Sequence, residues 1–253
     1  MGLLPRQRFV LHLCALFAAF LLGPCASAGQ GERVQLTVMG DSLADGVWAG
    51  LSRNLRADKS FSIRRASRVS SGLAAYDWHA QATKLLDDPT DIVVIMLGAN
   101  DGQAIRRRGE PRIGYRAERW RDEYADKVHE LLNLFAERNI YAVWVGLPIM
   151  RTDSMRDQAL LLNRIFAATV SGRAGVHYLP TWELTTDDQG EYVAYAELDE
   201  TGRQQQFRAQ DGVHFTMRGY QFLARRVQEI IEAEYLEKRR ANKRPEESLG
   251  ALD

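Results

Sequence analysis

The sequence is poor in cysteine: there are two in 253 residues, Cys14 and Cys25, and none from residue 29 onward. That excludes thiol nucleophiles, thiolate metal sites and disulfide staples from the body of the chain, which ordinary packing must stabilise. An excess of one charge is also missing. Lys and Arg total 33 against 33 Asp and Glu, so the net charge is zero and no electrostatic footprint points to nucleic acid. No apolar run reaches the roughly 20 residues of a membrane span. The candidate run, Phe9 to Leu22, is short and interrupted by His12. There is no internal repeat, low-complexity linker, glycine-rich phosphate loop or dinucleotide fingerprint. No close His/Asp/Glu spacing suggests zinc, so neither a metal nor an organic cofactor is expected.

What is present begins with a leader. Arg6 and Arg8 precede the apolar stretch, and Ala26-Ser27-Ala28 closes it. This order describes a secretory signal peptide over residues 1–28, and with it a periplasmic or secreted protein whose mature form does not span a membrane. Retention as an anchor, or lipid attachment at Cys25, are the alternatives; Pro24 fits the latter poorly. The remainder suits one domain over residues 29–237, followed by a charged tail, 238–253, expected to be mobile. Oligomeric state is not legible.

Within that domain, strands and helices alternate. Val34–Met39 reads as a strand that stops at Gly40 and Asp41, and Val47, Leu51 and Leu55 follow at helical spacing. Phe61-Ser62-Ile63 suggests a second strand, and a short helix covers Trp78 to Leu86. "DIVVIML", residues 91–97, is continuously apolar, as a parallel strand covered on both faces would be. Helices are expected over 118–139, 155–171 and 216–236, strands over 140–148 and in "GVHYLP". Residues 191–210 alternate loosely around Glu200-Thr201-Gly202, as in a hairpin. The alternation implies an α/β fold with a parallel sheet and helices on both faces. Ligands in such folds sit beyond the carboxyl ends of the strands.

Chemistry-bearing residues fall at those ends. Ser42 follows the first strand, Gly72 lies in the loop after the second, Asn100 follows the third, and Asp211 and His214 precede the last helix. A serine hydroxyl needs a base, histidine titrates near neutrality, and an aspartate can fix the imidazole tautomer. Backbone N–H groups and an asparagine amide suit a developing oxyanion. Gly212 between Asp211 and His214 allows a tight bend.

"GDSLADG" (40–46), the glycine of "SSGL", "GAND" (98–101) and "DGVH" (211–214) resemble, in order, the four sequence blocks of SGNH (GDSL-type) hydrolases. The likeness runs from about Val34 to the last helix. "WHAQ", "GEPRIGYRAERWRDEYADKV" and "WVGLPIMR" further resemble a bacterial envelope subgroup catalogued as a domain of unknown function. The resemblance implies a three-layer flavodoxin-like fold with a five-stranded parallel sheet. It also implies Ser42 as nucleophile, His214 as base and Asp211 as its partner. Ser42 N–H, Gly72 N–H and the Asn100 amide would form the oxyanion hole. The implied activity is that of a serine esterase acting on oxygen esters, with an acylated glycan or another small ester as substrate. An O-acyltransferase with the same triad, or a glycan-binding protein with a vestigial site, are the alternatives.

Each residue also has a plainer reading. Ser42 can cap a helix, Asn100-Asp101-Gly102 can be a turn, and Asp101 is expected to brace its loop rather than take part in chemistry. His129 and His177 are expected to be structural, while His79 lies nearer the site. Trp48, Tyr76, Trp78 and Trp182 can stack on a sugar or pack the core. Seven arginines fall between Arg106 and Arg121. Arg106, Arg107 and Arg108, with Trp78, are candidates to bind substrate, favouring an anionic one; a solvated loop with scattered ion pairs is the alternative.

Overall fold

A computed structural model describes residues 33–107, 109–115 and 117–242. The expected leader, Arg108, and residues 243–253 of the expected tail lie outside these. Five strands form one parallel sheet: β1 (Val34–Gly40), β2 (Phe61–Ser67), β3 (Ile92–Met96), β4 (Tyr141–Val145) and β5 (Val176–Leu179), in the order β2-β1-β3-β4-β5. The intervening helices are α1 (Ser42–Asn54), α2 (Trp78–Leu85), α3 (Trp120–Glu137) and α4 (Asp153–Val170), with α5 (Met217–Ile230) after a hairpin of β6 (Tyr195–Glu197) and β7 (Gln204–Gln206). The expected doubly wound α/β architecture is the one observed.

Burial follows position in the sheet. Every residue of β3 and β4 is buried, since helices cover both faces there. Edge strand β2 is only partly buried and tolerates Arg64, whose guanidinium donates to Thr37, Leu85 and Thr90 and pairs with Asp88 at 2.7 Å. The chain leaves β1 toward β2 and later returns past β1 to β3. Right-handed crossovers therefore put α1 on one face and α2, α3 and α4 on the other. Contacts agree: α1 packs with α5, and α3 with both α2 and α4. Gly40 pairs with Ser67 on one side and Met96 on the other, so three strands end level. The crevice of the topological switch lies just beyond, where Ser42 begins α1.

The α3–α4 face is filled by Trp120, stacked on Tyr124 at 4.8 Å, and by Phe166, which contacts both Tyr124 and Trp144. On the other face, α1 and α5 approach closely. A Cβ on Gly46 would fall 1.9 Å from the Tyr220 ring, and one on Gly50 would fall 2.4 Å from the Tyr220 carbonyl. Small residues at this four-residue spacing let α5 seat Tyr220 directly on α1.

The last helix differs from expectation. After α5 the chain passes through a π-helical turn, Ile231–Leu236, and remains helical through residue 242. Residues 238–242 are therefore helix rather than the start of a loose tail. Glu234 in the wide turn accepts from the Tyr141 hydroxyl at 2.7 Å and meets His177 Nδ1 at 2.6 Å, clamping the helix to the amino-terminal end of the sheet. Arg240 pairs with Glu232 at 2.6 Å and extends the helical run.

Gly50→Ala sets a methyl group against backbone that cannot rotate away. It is expected to destabilise the fold by about 1–3 kcal/mol, read by urea unfolding. Wild-type stability in this variant would contradict the close approach of α1 and α5.

Candidate active site

The site starts from a cap. Asp41 caps α1, its Oδ1 accepting the Leu43 N–H at 2.9 Å, while Oδ2 accepts the N–H groups of Gly98 and Ala99, both at 3.1 Å. One carboxylate thus joins the start of α1 to the loop after β3. Asp41 is wholly buried, and burial pushes its pKa up to about 7; the Leu43 N–H opposes the rise, the Asp101 charge adds to it, and the Ala99 and Gly98 N–H groups oppose it. Gly40, at φ +140°, makes the turn into this cap where a Cβ would strike the Met96 carbonyl.

A second buried carboxylate holds the other loop. Asp101 accepts from Leu73 N–H at 3.0 Å, Ala74 N–H at 2.7 Å and the Tyr124 hydroxyl at 2.8 Å. Burial raises its pKa against those donors. Its expected part as a brace matches this geometry. A Cβ on Gly72 would lie 2.3 Å from Asp101 Oδ1, so no side chain fits there. Asn100 donates one amide proton to the Ser71 carbonyl at 3.0 Å, and among the described residues the second has no acceptor. Among the described residues, the Gly72 N–H has no acceptor.

His214 and Asp211 are carried by the turn that precedes α5. His214 Nε2 lies 2.8 Å from Ser42 Oγ, and Nδ1 lies 2.7 Å from Asp211 Oδ2. With Nδ1–H donating to the carboxylate, a neutral ring presents Nε2 as acceptor to the serine hydroxyl. Asp211 Oδ1 accepts the N–H groups of Val213 at 2.8 Å and His214 at 2.9 Å. Partial burial opposes ionisation of Asp211, but these two N–H groups and the imidazole outweigh it and hold the pKa down at about 2. The carboxylate is therefore ionised near neutral pH, where it fixes the ring.

What shapes this turn carried no sequence signal. Arg208 is buried beneath it and donates to the carbonyls of Val213 at 3.0 Å and Ile149 at 2.8 Å, with Phe215 and Tyr192 against its guanidinium. Burial lowers its pKa to about 10, so it stays charged. Gly212 has φ +75°, and a Cβ there would lie 2.5 Å from the Arg151 Cβ. Asp41 and Arg208 look like an ordinary cap and a surface arginine until the fold closes.

The candidate substrate contacts divide. Arg106 is exposed, its N–H bonded to the Ala74 carbonyl at 3.0 Å. Arg107 is not free to bind a substrate: it pairs with Glu123 at 2.9 Å and Glu130 at 3.1 Å, fixing its segment to α3. Trp78 does not line a substrate site either: it is 1% exposed, in the core at the start of α2. The arginine-rich segment is no open loop, since Ile105 and Ile113 exchange backbone hydrogen bonds and Trp120 Nε1 bonds the Gln103 carbonyl at 2.9 Å. Trp48, Tyr76 and Trp182 are partly buried against the core, and His79 is exposed on α2.

Asp41 generates a pH prediction. It ionises near about 4 in the unfolded chain and near about 7 in the fold. The folded state then binds the extra proton between those values, so stability falls as pH rises through that window. Relative to Asp41→Asn, which does not titrate, the wild type is expected to lose stability from about pH 4 to about pH 7 in urea unfolding. A constant difference between the two across that window would contradict the assignment.

The same fold occurs in solved structures of low sequence identity. Axe2, an acetylxylan esterase from Geobacillus stearothermophilus solved as a catalytic mutant, is 17% identical with a TM-score of 0.56; the match covers 77% of this chain and 92% of that one. The acetyl xylan esterase AlAXEase is 13% identical with a TM-score of 0.52, covering 78% of this chain and 100% of that one. TesA is 17% identical with a TM-score of 0.51, covering 78% and 97%. No curated protein sequence matches the chain. Residues 35–229, which contain every residue of the site above, match the family described as Protein of unknown function (DUF459), and the chain belongs to that family.

Proposed function

We propose that the protein is an exported serine esterase that removes O-acyl groups, acetyl in particular, from glycans. The observation that carries this reading is the continuous chain from Asp211 through His214 to Ser42, with hydrogen bonds of 2.7 and 2.8 Å. His214 Nε2 takes the Ser42 proton as Oγ attacks the acyl carbonyl carbon. The oxygen becomes an alkoxide, received by the N–H groups of Ser42 and Gly72 and the free amide proton of Asn100. Collapse breaks the bond to the alcohol oxygen, and His214 returns the proton to that oxygen. Water, deprotonated by His214, then releases the carboxylic acid and restores Ser42. Asp211 remains ionised throughout and balances the imidazolium.

The acetylxylan esterases with this fold support an O-acetylated glycan as substrate. The leader pattern over residues 1–28 supports export. The alternative of a vestigial binding site is disfavoured by the intact hydrogen bonds. An acyltransferase would follow the same first half, with a sugar hydroxyl in place of water.

Hydrolysis of p-nitrophenyl acetate tests the proposal. The wild type is expected to turn over, and Ser42→Ala to fall to the buffer rate. Asn100→Ala should lose about 10²–10³ in kcat while folding normally by circular dichroism. Undiminished turnover by Ser42→Ala would overturn it.

A further inference from the structure

Most arginines around the triad are already engaged. Arg65 pairs with Asp45, Arg107 with Glu123 and Glu130, Arg151 bonds the Gln210 carbonyl, and Arg208 is buried under the His214 turn. Two are not. Arg68 and Arg106 are exposed, and among the described residues neither has an acidic partner. Arg68 is anchored to the end of β1, and Arg106 to the segment that carries Gly72. The Arg68 N–H bonds the Gly40 carbonyl at 2.8 Å, two residues before Ser42, and the Arg106 N–H bonds the Ala74 carbonyl at 3.0 Å, two residues after Gly72.

The Arg68 side is held in place. Its carbonyl accepts from the Ser71 hydroxyl at 2.6 Å, and Ser70 adopts φ 59°, a left-handed conformation that a serine sustains only when its surroundings impose it. The guanidinium lies 4.8 Å from the centre of the Tyr76 ring, and the Tyr76 N–H in turn bonds the Gly72 carbonyl at 2.9 Å. Stacking on an aromatic face leaves the edge N–H donors of a guanidinium open, in the fork geometry that matches a carboxylate or phosphate.

We infer that Arg68 and Arg106 form an anion-binding rim beside the oxyanion edge of the site, and that the preferred ester carries a carboxylate or phosphate on its alcohol half. The charge belongs on that half because an acetyl group carries none. A glycan ester bearing an acidic sugar or a phosphate is the substrate class that fits. This rests on the esterase reading above. Asp77, which caps α2, is the acid nearest Arg68 in sequence, and its Oδ1 is already used by the Ala80 N–H at 2.9 Å.

The test compares kcat/KM for 4-acetoxybenzoate, 4-acetoxyphenyl phosphate and the neutral methyl 4-acetoxybenzoate. At low salt the wild type is expected to favour one of the anionic esters over the neutral one by about tenfold, and the better of the two identifies the group. That ratio should approach one in the double variant Arg68→Gln/Arg106→Gln. In the wild type alone it should shrink when salt is raised to about 0.5 M. Equal rates on all three esters, or a preference that persists in both the double variant and high salt, would overturn the inference and leave the esterase reading standing. Failure of the wild type to cleave any of them would overturn both.

Discussion

The serine side of the site depends on a buried carboxylate that has no cation beside it among the described residues. Asp41 satisfies itself on three backbone N–H groups from two separate segments. An unpaired ion in such a place costs several kcal/mol, which is why its pKa climbs toward neutrality. The arrangement persists because the same contacts fix where α1 starts relative to the loop after β3. Asp101 repeats the device one loop further on, taking two N–H groups and a tyrosine hydroxyl. Between them, the two carboxylates set the positions of Ser42, Gly72 and Asn100 before any substrate arrives. Preorganised donors of that kind stabilise developing charge without reorganising at the moment of reaction.

The imidazole side is held by different means. His214 lies 172 residues from Ser42 in sequence, so local structure cannot deliver it. Packing does. Gly46 and Gly50 let α5 settle on α1, and Tyr220 fills the contact. The turn ahead of α5 is then brought over the start of α1. Arg208 gathers the carbonyls of that turn from below, so its geometry does not rest on the Asp211–His214 bond alone. Apolar packing thus brings the two halves together, while polar contacts set their final alignment.

Much of this was legible in the sequence, for definite reasons. Continuous apolar runs such as residues 91–97 mark covered parallel strands, and the alternation with helices fixes the architecture. Ser42, Asn100, Asp211 and His214 stand out because they fall at strand ends or before a helix, where a doubly wound sheet keeps its ligands. Other features depend on tertiary placement. Trp78 looks like a sugar-stacking ring until α2 turns it into the core, and Arg107 like a substrate contact until α3 presents Glu123 and Glu130. Arg208 is one arginine among many, and only the closed fold shows the carbonyls it meets. Helix beyond residue 237 has no apolar face to announce it, since Lys238-Arg239-Arg240-Ala241-Asn242 carries three cations; it follows a turn that Glu234 ties to Tyr141 and His177, contacts its composition does not reveal.

The central claim is that the Ser42 hydroxyl is a nucleophile activated by His214. The most direct measurement is the rate and site of modification by a fluorophosphonate, mapped by peptide mass spectrometry in the wild type and in His214→Ala. The account predicts a single adduct on the peptide carrying Ser42, formed far more slowly without the imidazole. An adduct on another residue, or an equal rate in His214→Ala, would contradict it.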